Sequence, residues 1–239
     1  MWVLVPIKAF SRAKQRLAAV LPPAERTQLA QAMASDVLGV LSRHAHVDRI
    51  IVCSDDPRAQ HMARSFGAGF LAQAQPGDDG LNNAVNEAAR SLANEGATDL
   101  AVVHGDLPLL AGDELDRFLF SHARQTRRAI TITPDRWRSG TNLLAWRPLA
   151  EFAVDYGPDS FRRHCDLARG GEYDLNVCEL PGGAFDIDRP EDLRAFACHA
   201  DASRAPATHR LLQQYDWLQR YALAHAPHAG IRNTRENVG

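Results

Sequence analysis

The feature that most constrains this chain is an alternation. Short apolar, β-branched runs read "WVLVPI" at 2–7, "DRIIVCS" at 48–54, "DLAVVHG" at 99–105 and "RAITITP" at 128–134. Longer segments of helical period lie between them. In 25–44, for example, Leu29, Met33, Val37 and Val40 share one helix face. The spacing predicts further helices over 57–66, 81–96 and 111–124, and a short strand over 69–72. Strands joined by helical crossovers make a mostly parallel sheet with helices on both faces. Such sheets bind ligands beyond the carboxyl ends of their strands. Lys8, Ser54-Asp55-Asp56 and Asp106 all fall at such ends.

After residue 135 the pattern loosens but does not stop. "GTNLLAW" at 140–146 and "EYDLNVCELPGG" at 172–183 read as strands. "GPDSFRRHCDLARGG" reads as a helix with Gly157 as cap, Pro158 first and Gly170 as stop. "DIDRPEDLRAFACHA" ends a strand and starts a helix at Pro190. No linker cuts the chain, so residues 1–200 read as one domain. Residues 201–239 read as an extension: one amphipathic helix with Leu211, Tyr215, Leu218 and Ala222 on its face, then a frayed tail.

Composition excludes some classes. A length of 239 residues with 45% hydrophobic and 23% charged residues is that of an ordinary globular chain. A net charge of −2 gives no basic field for nucleic acid. No run of eighteen apolar residues reads as a membrane span, and "MWVLVPIKAF" lacks the basic start of a signal peptide. Cys53, Cys165, Cys178 and Cys198 form no C-x-x-C pair, which fits a reduced, cytoplasmic chain.

Four stretches carry chemistry. "VPIKAFSRAKQRL" sets Lys8, Arg12, Lys14 and Arg16 after the first strand, where they can neutralise a triphosphate. It contains no glycine, so it is neither a Walker loop nor a dinucleotide fingerprint. Asp106 ends an apolar strand, and a carboxylate there needs a partner. In "FDIDRPEDL", Asp186 and Asp188 share one face of an extended segment. Two carboxylates from separate strand ends can hold Mg²⁺, which takes its other ligands from phosphates and water. Glu191 and Asp192 are ordinary first-turn acids. Gly80 and the Asn82-Asn83 pair open a helix and can face a base or ribose. Gly157, Pro158 and Ser160 build a helix start able to take an anion, with Thr141 adding a hydroxyl.

With these pieces in family order, the chain resembles the 2-phospho-L-lactate guanylyltransferase family, which includes the phosphoenolpyruvate and 3-phospho-D-glycerate guanylyltransferases of coenzyme F-420 biosynthesis. The matching stretches are "VPIKAFSRAKQRLA", "GDDGLNNAV", "GDLPLL", "GTNLL", "YGPDSFRRH" and "DIDRPEDL". The resemblance implies an α/β fold, the three-layer nucleotidyltransferase sandwich of nucleotide-diphospho-sugar transferase type around a mostly parallel sheet. It implies GTP and a phosphorylated three-carbon acid as substrates, Mg²⁺ as cofactor and a homodimer. It makes Asp106 and Asp188 the metal carboxylates and puts Lys14 and Arg16 at the GTP phosphates, with Lys8 and Arg12 nearby. Gly80 and Asn82 would lie at the guanosine, and Thr141, Gly157 and Ser160 at the acid. The chain departs from the family pattern at His104-Gly105, before Asp106, and at Arg189. Two other readings stay open: a molybdopterin or sugar phosphate acceptor, and a non-catalytic nucleotide-binding module.

The implied reaction joins GMP to a phosphate oxygen and releases pyrophosphate. A phosphomonoester is already largely dianionic near neutral pH, with a second pKa of roughly 6, so no base is needed. What is needed is charge neutralisation and alignment. The absence of any Ser-His-Asp order or H-E-x-x-H motif fits that demand. Arg163 and His164, one turn after Ser160, are candidates for the acceptor's carboxylate.

Overall fold

The computed structural model describes residues 1–73 and 80–217. Seven strands form one sheet: β1 (Trp2–Pro6), β2 (Arg49–Ser54), β3 (Gly69–Ala72), β4 (Leu100–Val103), β5 (Ala129–Pro134), β6 (Thr141–Arg147) and β7 (Asp174–Val177). Their order is β3-β2-β1-β4-β6-β5-β7, and β6 alone runs against the rest. The expected α/β fold with a mostly parallel sheet is present. The antiparallel strand has a local cause. Residues 135–140 are too few for a crossover, and Asp135 N–H donates to the Gly140 carbonyl (3.0 Å), closing a tight reversal.

The helices are α1 (Pro23–Ser42), α2 (Pro57–Ser65), α3 (Gly80–Asn94), α4 (Gly112–Ala123), α5 (Ser160–Gly170), α6 (Pro190–His199) and α7 (Pro206–Gln214). They cover both faces of the sheet, and the strands show it at period two. Val3, Val5, Val52, Ala101, Val103 and Ala145 pack on α1, α2 and α4. Leu4, Ile51, Cys53, Val102, Leu144 and Trp146 pack on α3 and α5. A third cluster forms outside α1, where Leu29 and Met33 meet Leu193, Phe196, Leu212 and Trp217. Thus α1 is buried on two sides, between the sheet and the α6–α7 layer. Among the described residues no helix is long and apolar enough to cross a membrane. All four cysteines are free thiols.

Three local expectations need correction. The segment holding Asp186 and Asp188 is not a strand. It passes beside Asp106, where Ile187 N–H reaches the Asp106 carbonyl at 3.4 Å. The alternation survives without a ladder: Ile187 is fully buried in the core, between two carboxylates that are only half-buried. Second, α5 starts at Ser160 rather than at Pro158. Asp159 takes a left-handed conformation at its N-cap, with φ 55°. Third, α7 ends at Gln214, so Tyr215 lies in the following turn. Its buried positions are Thr208 and Leu212, not Leu211 and Tyr215. The phase is set by Asp36 of α1, whose carboxylate accepts from Ala207 N (2.9 Å), Thr208 N (2.9 Å) and Thr208 Oγ1 (2.7 Å). Leu218 and Ala222 lie outside the described residues, as does the "GDD" preceding Gly80.

Candidate active site

The site forms where β1 and β4 end. After β1 the chain makes two short 3₁₀ turns, Phe10–Arg12 and Gln15–Leu17, with Lys14 between them at φ 55°. That conformation is unusual for a side chain bearing a Cβ. The loop is pinned on both flanks. Asp56, buried at the N-cap of α2, accepts from Arg58 N–H and from Phe10 N–H at 2.9 Å each. Leu17 is fully buried on the other side. The Lys14 side chain is thereby aimed inward.

Its ammonium lies 2.7 Å from Asp106 Oδ2 and 2.7 Å from Asp188 Oδ1. Arg16 Nη1 stands 3.1 Å from the other Asp188 oxygen. Residues 14, 106 and 188, far apart in the chain, therefore meet at one point. Burial disfavours the Lys14 charge, but the Asp106 and Asp188 carboxylates outweigh it and raise the lysine's pKa. Burial likewise works against ionised Asp106, and Lys14 with His104 overcomes it, holding that carboxyl below its usual range. Two supports place the acids. Gly182 N–H donates to Glu114 (2.8 Å), and a Cβ on Gly182 would collide with the Leu109 carbonyl. Further on, Asp188 N–H and Arg189 N–H both donate to Asp192, at 2.9 and 2.8 Å. Asp192 is thus a helix-capping acid, as its position predicts, and it also fixes Asp188.

The cluster has unspent negative charge. Asp106 Oδ1 is buried without a hydrogen-bond partner. The Asp186 carboxyl is pushed up to about 6, by burial and then by the Asp106 and Asp188 charges. The metal pair implied by the resemblance leaves Asp186 out, while its even spacing from Asp188 is the signal that includes it. A small hard cation would relieve both features, so the donor set fits Mg²⁺. Among the described residues no three His, Cys, Asp or Glu side chains make a complete cage. Two carboxylates with substrate oxygens are what Mg²⁺ ordinarily takes.

Thr141, Gly157 and Ser160, read from the sequence as an anion site, stand together, with both hydroxyl residues buried. Thr141 begins β6, and because β6 is antiparallel its first residue shares the edge where β4 ends. Gly157 has φ 136°, and a Cβ there would meet Arg163 Nη2 at 2.9 Å. Ser160 Oγ lies 3.5 Å from Thr141 Oγ1. The two parts join through His104. Its N–H donates to the Asn142 carbonyl (3.2 Å), and its ring packs 5.2 Å from that of Tyr156.

The remaining candidates fall as follows. Lys8 is exposed after β1, and exposed Arg12 pairs with Asp55. Gly80 is the buried first residue of α3, its carbonyl accepting from Gln73. The Asn82 amide is engaged with backbone: Nδ2 donates to the Tyr156 carbonyl (3.0 Å) and Oδ1 accepts Tyr156 N–H (2.6 Å). Asn82 thus clamps the 154–157 loop, as Asn86 does at Val154. Arg163 turns to Asp155, with Nη2 donating to its carbonyl (3.1 Å) and Nε 3.2 Å from its carboxylate. His164 is not free to take a carboxylate, being fully buried with both ring nitrogens engaged.

The fold is one that solved nucleotidyltransferases share. A nucleotide-diphospho-sugar transferase assignment from Desulfovibrio desulfuricans G20 superposes with TM-score 0.73 at 18% identity, over 92% of this chain and 97% of that one. A cytidylyltransferase from Leptospira borgpetersenii superposes at 0.56 and 13% identity, over 91% and 94%. The sequence comparison is narrower. Residues 1–214 match the family described as guanylyl transferase CofC like. The phosphoenolpyruvate guanylyltransferase of Conexibacter woesei is 36% identical over 87% of this chain and 92% of its own. The 2-phospho-L-lactate guanylyltransferase of Methanothermobacter thermautotrophicus is 32% identical over 84% and 86%. The chain belongs to this guanylyltransferase family.

Proposed function

We propose that the protein transfers GMP from GTP to the phosphate of a small phosphorylated three-carbon acid, with Mg²⁺, as a step of coenzyme F-420 biosynthesis. The observation that carries this reading is the meeting of Lys14, Asp106 and Asp188 beside a hydroxyl-lined anion corner. An acceptor phosphate oxygen attacks the α-phosphorus of GTP, a P–O bond forms, the α–β bridging P–O bond breaks, and pyrophosphate leaves. Asp106 and Asp188, with Asp186 beside them, would hold the magnesium. The ion would neutralise phosphate charge and align the two polyanions. Lys14 and Arg16 add positive charge on the triphosphate side. Thr141 and Ser160, with the backbone at Gly157, hold the acceptor. No residue is needed as a general base, because the attacking oxygen carries no proton.

Names of relatives favour phosphoenolpyruvate over 2-phospho-L-lactate, since the relatives at 36–38% identity carry the former name. The test is mass spectrometry of products made from GTP and Mg²⁺ with phosphoenolpyruvate, 2-phospho-L-lactate and 3-phospho-D-glycerate in turn. A guanylylated acid with stoichiometric pyrophosphate is expected from one of them. No such product from any of the three overturns the reading.

A further inference from the structure

We infer that His164 is a positioning residue for acceptor binding: it fixes the polarity of the Thr141 and Ser160 hydroxyls so that they face an anion as donors. The inference rests on the function proposed above for where the acceptor sits. The geometry of the histidine is independent of that.

His164 has no exposed surface. Its Nε2 lies 2.9 Å from the backbone nitrogen of Asp155. A backbone N–H can only donate, so Nε2 must be the bare nitrogen. The ring proton of the neutral imidazole is then on Nδ1. Nδ1 lies 2.9 Å from Thr141 Oγ1, so this N–H donates to the threonine oxygen. A second ring proton would set N–H against N–H at Asp155. Burial, then the charges of Arg163 and His104, also oppose it, pushing the histidine down to about 3. The rings of Phe152 and Tyr156 close over the imidazole, with centroids 6.2 and 5.0 Å away.

The consequence lies one atom further out. Thr141 Oγ1 receives a hydrogen from the interior and cannot spend its own there. Ser160 Oγ, 3.5 Å away, donates to it as well, which leaves the Thr141 hydrogen for a ligand. With the two hydroxyl roles reversed, the Ser160 hydrogen is the one left. Every arrangement leaves a hydroxyl donor for a phosphate or carboxylate oxygen. The opposite tautomer would let Thr141 donate inward and cost the corner one donor. By holding Asp155, the same ring also anchors the loop that carries Gly157.

Two measurements on the full chain test this. In ¹⁵N-histidine-labelled protein, two-bond N–H correlations should show His164 as the Nδ1–H tautomer, unchanged from pH 5.5 to 8. An Nε2–H tautomer, or titration in that range, overturns the inference. In steady-state kinetics, His164→Phe should raise KM for phosphoenolpyruvate about tenfold, with KM for GTP within about twofold. His164→Asn, whose amide nitrogen can stand in for Nδ1, should recover most of the loss. His164→Phe added to Thr141→Val should raise KM by clearly less than the product of the two single effects, because both act on the same donor and only the hold on Asp155 is lost in addition. Equal rises in both KM values, or additive effects in the double variant, would count against a role through Thr141. If wild-type protein makes no guanylylated acid, the proposed function falls, and the tautomer measurement still decides the assignment of His164.

Discussion

At the scale of single residues, the site is organised by one lysine in an unusual backbone conformation. Lys14 reaches both Asp106 and Asp188 because the chain on either side of it is tethered, at Phe10 by Asp56 and at Leu17 by the core. Of the residues read from the sequence, Lys14, Arg16, Asp106 and Asp188 are brought together, and Thr141, Gly157 and Ser160 form the neighbouring corner. Asn82 instead binds the backbone of the 154–157 loop, a role that its residue type and helix position do not announce. Asp106→Asn is the sharpest single test here. The amide keeps the volume, and Lys14 keeps Asp188 as partner, so the melting temperature should stay within a few degrees of wild type. Turnover should fall on the order of 100-fold or more, the scale seen when a charge-stabilising group is removed from a reaction centre. A variant that melts far lower yet retains full specific activity would make Asp106 a structural cap instead.

Among the elements, α1 does most to join the parts. Its inner side packs on the sheet and its outer side on α6 and α7, while Asp36 caps the start of α7 with three hydrogen bonds. A pattern search finds α1 easily but cannot see that Asp36, 6% exposed in mid-helix, serves another helix 171 residues away. That contact also sets the phase of α7 against the one its apolar spacing predicts. Its apolar residues allow more than one face, and the cap selects the one that buries Thr208 and Leu212. Asp36→Ala should cost about 2–3 kcal/mol, the loss of a cap together with buried donors left unpaired. Denaturant unfolding would measure it. A cost below about 0.5 kcal/mol would mean that packing alone holds α7.

For the whole molecule, the stretch beyond residue 200 is no loose appendage as far as it is described. Leu212 and Trp217 are buried in the cluster that also holds Leu29, Met33 and Phe196. Ending the chain after Ala200 would expose that cluster, and each large apolar side chain lost is worth about 1.5–3 kcal/mol. The shortened chain should melt well below the full one, and an unchanged melting curve would restore a separable extension. The order of elements, the parallel βαβ part, and the strand ends that carry Asp106 and the basic loop are legible in the sequence, because periodicity and residue type are local properties; the segment of Asp188, read as a strand, is not one. What no local property contains is the position of β6. Only the tight turn after β5, and the pairing of β6 between β4 and β5, brings Thr141 to the edge where Asp106 stands. The sequence alone determined which groups were available: carboxylates, a lysine, hydroxyls and a glycine with a permissive backbone. The tertiary structure alone decided which of them meet, because a distance between residues far apart in the chain is set by sheet order and packing.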